Sequence, residues 1–199
     1  MKEIIVGGRK IRVTGFVWDD ARILARAGCP AILLPTLVST DGGRKILNNI
    51  ILRRSSPVPA EKMDVADIFL ICKGIIEVAV EDAEAAYADV LSAVGEVEDI
   101  RGFTLEDFEM FEMVGLNACT LNLLFLANST QMTCFEKAVV EHSVLKREEL
   151  GDMKIAYLSG VFLRIMLATF GTDKAAMQSA ARRADPKLWV INGGKKVIK

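Results

Sequence analysis

The fold class is decided by residues 65–84, VADIFLICKGIIEVAVEDAE. Apolar side chains recur in this stretch at steps of three and four, and glutamates fall on another face, which is the pattern of an amphipathic helix. A helix is therefore predicted from about Ala60 to about Val94, bent at Gly74. The apolar set is Val65, Ile68, Phe69, Cys72, Ile75, Ile76, Ala79, Val80 and Ala83, and the acidic set is Glu77, Glu81 and Glu84.

A second long helix is predicted after Thr104. Asp107 follows Thr104 at the spacing of a capping box, in which the two residues satisfy each other's backbone N–H groups. Residues 113–127 are apolar almost all round, so the predicted helix runs on to Ala127. A helix that is apolar on every side is either buried centrally or shared with another subunit.

The remaining helices are predicted from capping residues at their starts and from glycine or proline after their ends. The first runs from Asp19 or Asp20 to Ala27 and ends before Gly28, and the second runs from Phe135 to Leu150, with Thr133 and Glu136 as its capping pair and Gly151 after its end. The third runs from Lys154 to Phe170 and ends before Gly171, and the fourth runs from Thr172 or Asp173 to about Arg183.

Two glycines, two basic residues and a β-branched residue occur together three times, at Gly7–Ile11, Gly42–Ile46 and Gly193–Val197. The first and third copies are flanked by β-forming residues. Gly-Gly between such runs favours a hairpin turn, because glycine reaches positive φ without a steric penalty. For the second copy the sequence does not decide between helix and strand, because the residues that follow it suit both.

The predicted fold class is therefore mainly α, a helical bundle with small β-hairpins at the N- and C-termini. Residues 55–59, Ser-Ser-Pro-Val-Pro, have the composition of a linker. They would separate an N-terminal part, residues 1–54, with the first hairpin and short helices, from a helical body over residues 60–199. A single domain over residues 1–199 is the alternative.

Composition limits the classes of function. A net charge of −1 and a pI near 6.0 argue against nucleic acid as the main partner. The hydrophobic fraction of 51% and the mean hydropathy of +0.30 are high for a soluble monomer, so the surplus is expected in a subunit interface. The most apolar stretch, residues 155–170, is about one turn too short for a membrane span. With no secretory signal visible, a soluble, cytoplasmic, self-associating protein is predicted.

The cysteines predict neither disulfides nor a metal site. Cys29, Cys72, Cys119 and Cys134 are widely spaced, contain no C-x-x-C pair and lie mostly in apolar helical patterns. Buried free thiols in a reducing compartment are expected. Because His142 is the only histidine, a zinc site would need an unusual ligand set. No metal and no cofactor is predicted.

The residues able to carry catalysis are dispersed, and no catalytic residue is predicted. His142 could serve as a general base, but its neighbours Glu141 and Ser143 would point in other directions on a helix, which favours a solvated or capping histidine. The acidic series lacks the E-x-x-H signature of a di-iron bundle and is typical of a solvated face. Beyond the glutamates named above it includes Glu96, Glu98 and Asp99.

Anion binding is the other chemistry that the sequence permits. The turns with two glycines and two cations could cradle a phosphate, but they match neither the P-loop nor the dinucleotide-binding pattern. The C-terminus is basic yet has little aromatic interleaving, so solvated cations are the preferred interpretation. Its basic residues are Arg182, Arg183, Lys187, Lys195, Lys196 and Lys199.

The N-terminal layout also suggests a family. Residues 1–13, MKEIIVGGRKIRV, form a predicted two-stranded hairpin that is followed at once by a short capped helix and a helical body. This layout resembles the tail assembly chaperones of long-tailed bacteriophages, over residues 1–30 and the helical remainder, although the third Gly-Gly turn departs from it. The resemblance implies a small protein of the host cytoplasm that self-associates, coats an elongated phage protein before tail assembly, and has no catalytic residues.

The predicted function is protein–protein interaction without catalysis, with a second copy of the chain and another protein as partners. Two alternatives remain. One is an enzyme whose site is assembled from distant Cys, His and acidic residues, and the other is a structural component of a virion or another large assembly. A pocket that holds a residue with a perturbed pKa would favour the enzyme, and a long exposed apolar groove would favour the chaperone.

Overall fold

The computed structural model describes residues 1–57, 63–92, 99–116, 123–126 and 128–170. This part of the chain is mostly helical, with a three-stranded antiparallel sheet at the N-terminus, which confirms the mainly α fold. The strands are β1 (Lys2–Val6), β2 (Arg9–Val13) and β3 (Ser55–Ser56), and the α-helices are α1 (Trp18–Arg26), α2 (Asp41–Arg54), α3 (Val65–Ser92), α4 (Leu105–Met113), α5 (Ser129–His142) and α6 (Ile155–Phe170). Three 3-10 helices of the described residues cover Ala31–Ser39, Leu123–Phe125 and Arg147–Asp152.

The N-terminal hairpin forms as predicted. Gly7 and Gly8 have φ values of 54° and 75°, which is the pair of positive angles that a tight two-residue hairpin turn requires. The turn pairs Lys2 with Val13 in the antiparallel register and turns Val13 into the core. The predicted C-terminal hairpin and the helix predicted from residue 172 lie outside the described residues.

The second Gly-Gly pair is helical. Gly42 and Gly43 lie in the first turn of α2, where the side chain of Thr40 accepts a hydrogen bond from the Gly43 N–H at 3.0 Å. A Cβ atom on Gly43 would lie 2.2 Å from the carbonyl oxygen of Leu37, so this position admits no side chain. The capping threonine and this close approach explain why the same five-residue pattern gives a helix here.

Three predicted helices are confirmed with small differences. α3 and α6 fall within the predicted ranges, and residues 60–62 and 93–94 lie outside the described part of the chain. α1 ends at Arg26, one residue before the predicted end, and the predicted Gly28 follows its C-cap with φ of 67°. Its start differs, because Val17 is the N-cap residue and Asp20, in the first turn, accepts a hydrogen bond from the Val17 N–H at 3.2 Å.

The helix predicted to reach Ala127 ends at Met113, and residues 117–122 and 127 of the predicted range lie outside the described residues. The capping box of Thr104 and Asp107 does start α4. However, Gly115 has φ of 68°, and the Leu116 N–H donates to the carbonyl of Phe111 at 2.8 Å, which is the hydrogen bond of a Schellman ending. Apolar composition alone therefore did not extend the helix through a glycine that can adopt the left-handed conformation.

The helix predicted over residues 135–150 is also displaced. α5 begins at Ser129, because the Asn128 side chain accepts a hydrogen bond from the Gln131 N–H at 2.8 Å and caps the helix. Thr133, the predicted cap, lies inside α5 and donates its hydroxyl to the carbonyl of Ser129 at 2.9 Å. The helix ends at His142, and Gly151 belongs to the following 3-10 helix.

The predicted linker is wrong in its first half. Ser55 and Ser56 form β3 and pair with Val13 and Arg12 of β2, while residues 58 and 59 lie outside the described residues. One connected set of buried side chains draws on both sides of this segment, including Trp18, Leu47, Ile75, Phe135 and Leu158. The division into residues 1–54 and 60–199 stays a prediction.

Among the helices of the described ranges, none is by itself both long and apolar enough to cross a membrane. Only the pair Trp18–Arg26 and Ala31–Ser39, bent by 47°, reaches that length and composition together.

Candidate functional site

Helix α3 has two apolar faces. One face, which includes Ile71, Ile75 and Val78, is fully buried in the core. The other is open to solvent in the N-terminal half of the helix, where Phe69 is 46% exposed and Leu70 is 47% exposed. A helix on the surface of a globular protein normally needs only one apolar stripe. A second, exposed stripe is typical of an interaction surface.

The exposed stripe lines a groove between α3 and the 3-10 helix Ala31–Ser39. The groove is open to solvent, has a volume of about 550 Å³, and presents a surface that is almost wholly carbon. Its α3 residues recur at steps of three and four, so they share one helix face. We call it the α3 groove; its lining residues are Pro35, Ala66, Phe69, Leu70, Lys73, Ile76 and Glu77.

The two charged residues of the α3 groove compensate each other. Lys73 Nζ lies 3.7 Å from Glu77 Oε1, one turn further along the helix. Glu77 Oε2 lies 3.0 Å from Nζ of Lys2 in β1. Exposed pairs of this kind add little stability. They do leave the groove without a strong charge of either sign, so its chemistry favours an apolar ligand surface.

Of the two predicted roles of His142, solvated or capping, the solvated one is wrong, because the residue is buried; it does lie in the last turn of α5. The residue ends α5 and is 8% exposed. Its Nε2 atom lies 2.9 Å from Oδ2 of Asp107 in α4, and its ring packs edge-on against Phe103 at a centroid distance of 5.2 Å. The Nδ1 atom has no hydrogen-bond partner among the described residues. Packing of α4 on α5 thus joins two groups that are distant in sequence.

Asp107 is held in place by the cap of its own helix. Its Oδ2 atom accepts hydrogen bonds from the backbone N–H of Thr104 at 2.7 Å and from the Thr104 hydroxyl at 2.6 Å. Burial alone would raise the pKa of Asp107, but the two Thr104 hydrogen bonds and the nearby His142 outweigh it, so the pKa is lowered. The carboxylate is therefore charged at neutral pH.

The groups around His142 do not form a nucleophilic site. The Ser143 hydroxyl donates to the backbone carbonyl of Val139 and accepts from the Leu145 N–H at 3.2 Å, so both of its roles are taken. Glu141 is exposed and lies 3.9 Å from Nζ of Lys137. A cavity of about 450 Å³ adjoins the ring, lined among others by Asp99, Arg101 and Glu141. In the described part of the chain, no hydroxyl or thiol forms a hydrogen bond with the His142 ring.

The described cysteines are buried and free, as predicted. Burial raises the pKa of Cys29, Cys72 and Cys134, and that of Cys72 reaches about 12. A thiol is a nucleophile only as the thiolate, so these cysteines are unsuited to catalysis at neutral pH. Cys119 lies outside the described residues.

The remaining candidates do not converge on a site. Glu77 takes part in ion pairs, Glu81 lies 3.5 Å from Lys2 Nζ, and Glu84 is exposed, as expected for a solvated face. The two described Gly-Gly pairs differ in structure, so they do not share one anion-binding geometry. Glu96, Glu98 and the basic C-terminus lie outside the described residues.

A buried ion cluster was not anticipated from the sequence. Glu136 is 5% exposed, accepts a hydrogen bond from the Trp18 indole at 2.7 Å and lies 3.1 Å from Nε of Arg22. Its spacing from Thr133 suggested a capping role instead. The structure thus has two buried polar clusters, Asp107 with His142 and Glu136 with Trp18 and Arg22. Of their residues, only Asp107 had a role that the sequence predicted, because the capping box that positions it is local. The contacts of α4 with α5 and of α1 with α5 join residues that are far apart in the chain, so no spacing in the sequence predicts them.

Comparisons with protein-family models, with curated proteins and with solved structures found no match to this chain.

Proposed function

We propose that this chain is a non-enzymatic interaction protein that self-associates through the α3 groove. The observation that supports it is the second apolar face of α3, with Phe69 and Leu70 each nearly half exposed above a carbon-lined groove. Burying apolar surface contributes about 25 cal/mol per Å². Covering Phe69 and Leu70 with a partner would therefore contribute more free energy than covering the charged residues around them.

A second copy of the chain is the partner that this surface suits. A symmetric dimer uses the same patch on both subunits, so the patch must be complementary to itself. The α3 groove has an apolar centre and one residue of each charge, Lys73 and Glu77, so two copies can meet without like charges being forced together. The hydrophobic fraction of 51% is consistent with an apolar subunit interface.

The finer proposal is a chaperone that coats an elongated partner, as the resemblance to phage tail assembly chaperones implies. The features that support it are the N-terminal hairpin, the short helix that follows it and the helical body. Self-association would then arrange several copies of the chain along one partner, where many weak contacts act together.

The self-association proposal predicts a mass above 21.8 kDa, the mass of one chain, when the protein is measured by light scattering at micromolar concentration. Leu70→Glu should return the mass to that of one chain, because it places a charge in the centre of the apolar surface. Leu105→Glu is the matched control, since Leu105 is 74% exposed and lies outside the α3 groove.

Circular dichroism of both variants shows whether the fold is intact. A wild-type chain that stays monomeric at every concentration contradicts the proposal. A folded Leu70→Glu variant with the wild-type mass contradicts the assignment of the surface.

A further inference from the structure

Three side chains at the contact of α4 with α5 form a set of metal-ligand types. One ligand atom from each of Asp107, Glu141 and His142 lies within 4.8 Å of the others. Ligand atoms that share one tetrahedral Zn²⁺ ion lie about 2.0–2.2 Å from it, so they are about 3.3–3.6 Å apart. The 2.9 Å contact between Asp107 and His142 involves Nε2, so it orients the ring and leaves Nδ1 for the ion, and Glu141 is exposed, so its side chain is free to rotate toward that ion.

The histidine carries a second, independent sign of a ligand. Its ring is buried, and Nδ1 has no partner among the described residues although Nε2 is bonded to Asp107. A buried imidazole nitrogen without a partner is costly unless water or an ion meets it. The carboxylate on the opposite nitrogen matches the arrangement by which proteins orient metal-binding histidines.

The surrounding charge also favours a cation. Two carboxylates, Asp99 and Glu141, line the adjoining cavity against one guanidinium, Arg101. Asp107 adds a third carboxylate next to the ring, and its orientation is fixed by two hydrogen bonds from Thr104. Imidazole and carboxylate together are ligands that suit Zn²⁺ and related divalent transition metals.

We propose that Asp107, Glu141 and His142 form a binding site for a divalent transition-metal ion of the Zn²⁺ type. The free nitrogen of His142 and the carboxylate of Glu141 bind the ion, water completes its coordination, and Asp107 orients the ring and supplies charge. Both protein ligands belong to α5, and Asp107 of α4 holds the imidazole ring that supplies one of them, so binding depends on the contact of the two helices. This inference does not depend on the α3 groove.

The test uses the full chain, treated with a chelator and then titrated with Zn²⁺ in competition with a chromogenic indicator. We expect the wild type to bind Zn²⁺ and Glu141→Gln to bind at least about tenfold more weakly. Glu109→Gln is the matched control, since Glu109 is an exposed glutamate of α4 outside the cluster, and it should keep the wild-type affinity. Glu141 is exposed, so its variant should fold, which circular dichroism verifies.

Co²⁺ in place of Zn²⁺ identifies the ligands. Nitrogen and oxygen ligation gives visible bands without the near-ultraviolet band of a cobalt thiolate, and those visible bands should weaken in Glu141→Gln. Absence of Zn²⁺ binding, equal affinity in the wild type and Glu141→Gln, or a thiolate band that persists in the variant would each overturn the site.

Discussion

Asp20 shows how a single residue can hold several elements together. Its side chain is fully buried, lies 2.8 Å from Arg53 Nη2 and 2.6 Å from Arg54 Nε, and accepts a hydrogen bond from the Val17 N–H. Both short approaches are ionic contacts rather than aligned hydrogen bonds, since Asp20 Oδ1 and Arg54 Nε lack an aligned partner among the described residues. Burial raises the pKa of Asp20 despite the two guanidinium groups. The carboxylate thus joins the start of α1 to the end of α2.

Asp20→Ala should lower the free energy of unfolding by about 3 kcal/mol, because it leaves the largely buried Arg54 and the Val17 N–H without their partner. Asp19→Ala is the control, since the Asp19 side chain is about half exposed and pairs with Arg22 at the surface, and it should cost less than about 1 kcal/mol. Urea denaturation followed by circular dichroism measures both. Equal stability of the two variants would show that Asp20 has no linking role.

Cys72 should resist alkylation in the folded protein, because its thiol is fully buried and its pKa is about 12, so the thiolate is scarce at pH 8. Iodoacetamide labelling followed by peptide mass spectrometry, with and without urea, measures the protection. If Cys72 reacts as fast in the native chain as in urea, the burial assigned to it is wrong.

At the scale of elements, the two described Gly-Gly pairs show that one local pattern can take two structures. Gly8 has a positive φ in the hairpin turn, whereas Gly42 lies in the first turn of α2, where no positive φ is needed. Neither position has an atom within 4 Å of where a Cβ would lie. The two glycines therefore differ in backbone conformation and not in the space available for a side chain.

Gly8→Ala should destabilise the protein by about 1–2 kcal/mol, because alanine is strained at positive φ. Gly42→Ala should leave the stability unchanged or raise it by up to about 1 kcal/mol, because alanine reduces the freedom of the unfolded chain and suits a helix. Thermal denaturation of the two single variants provides the comparison. Effects of the same sign and size would contradict the assignment of one glycine to a turn and the other to a helix.

At the scale of the whole molecule, the core crosses the segment that was predicted to be a linker. Trp18 and Leu47, before that segment, belong to the same buried cluster as Ile75 and Phe135, after it. β3 also ties residues 55–56 into the N-terminal sheet. A core that is shared in this way favours unfolding as one unit.

Calorimetry should therefore show a single transition whose calorimetric enthalpy equals the van't Hoff enthalpy, measured at a concentration where the chain is monomeric. Two resolved transitions would instead support the division into residues 1–54 and 60–199.

The sequence by itself determined the features that depend on near neighbours. The N-terminal hairpin, the ending of α1 before Gly28, the capping box of α4 and the long helix α3 were all predictable, because their signals lie within a few residues of each other. The burial of the described cysteines followed from the apolar helical patterns around them.

Only the tertiary structure decided the rest, because those features depend on groups that are far apart in the chain. Periodicity marks the apolar residues of α3, but only the packing of other elements determines that Ile75 is covered while Leu70 is exposed. In the same way, the contact of α4 with α5 buries His142 against Asp107. The candidate interaction surface and the candidate metal site therefore could not be located from sequence spacing, since each is created by which elements meet.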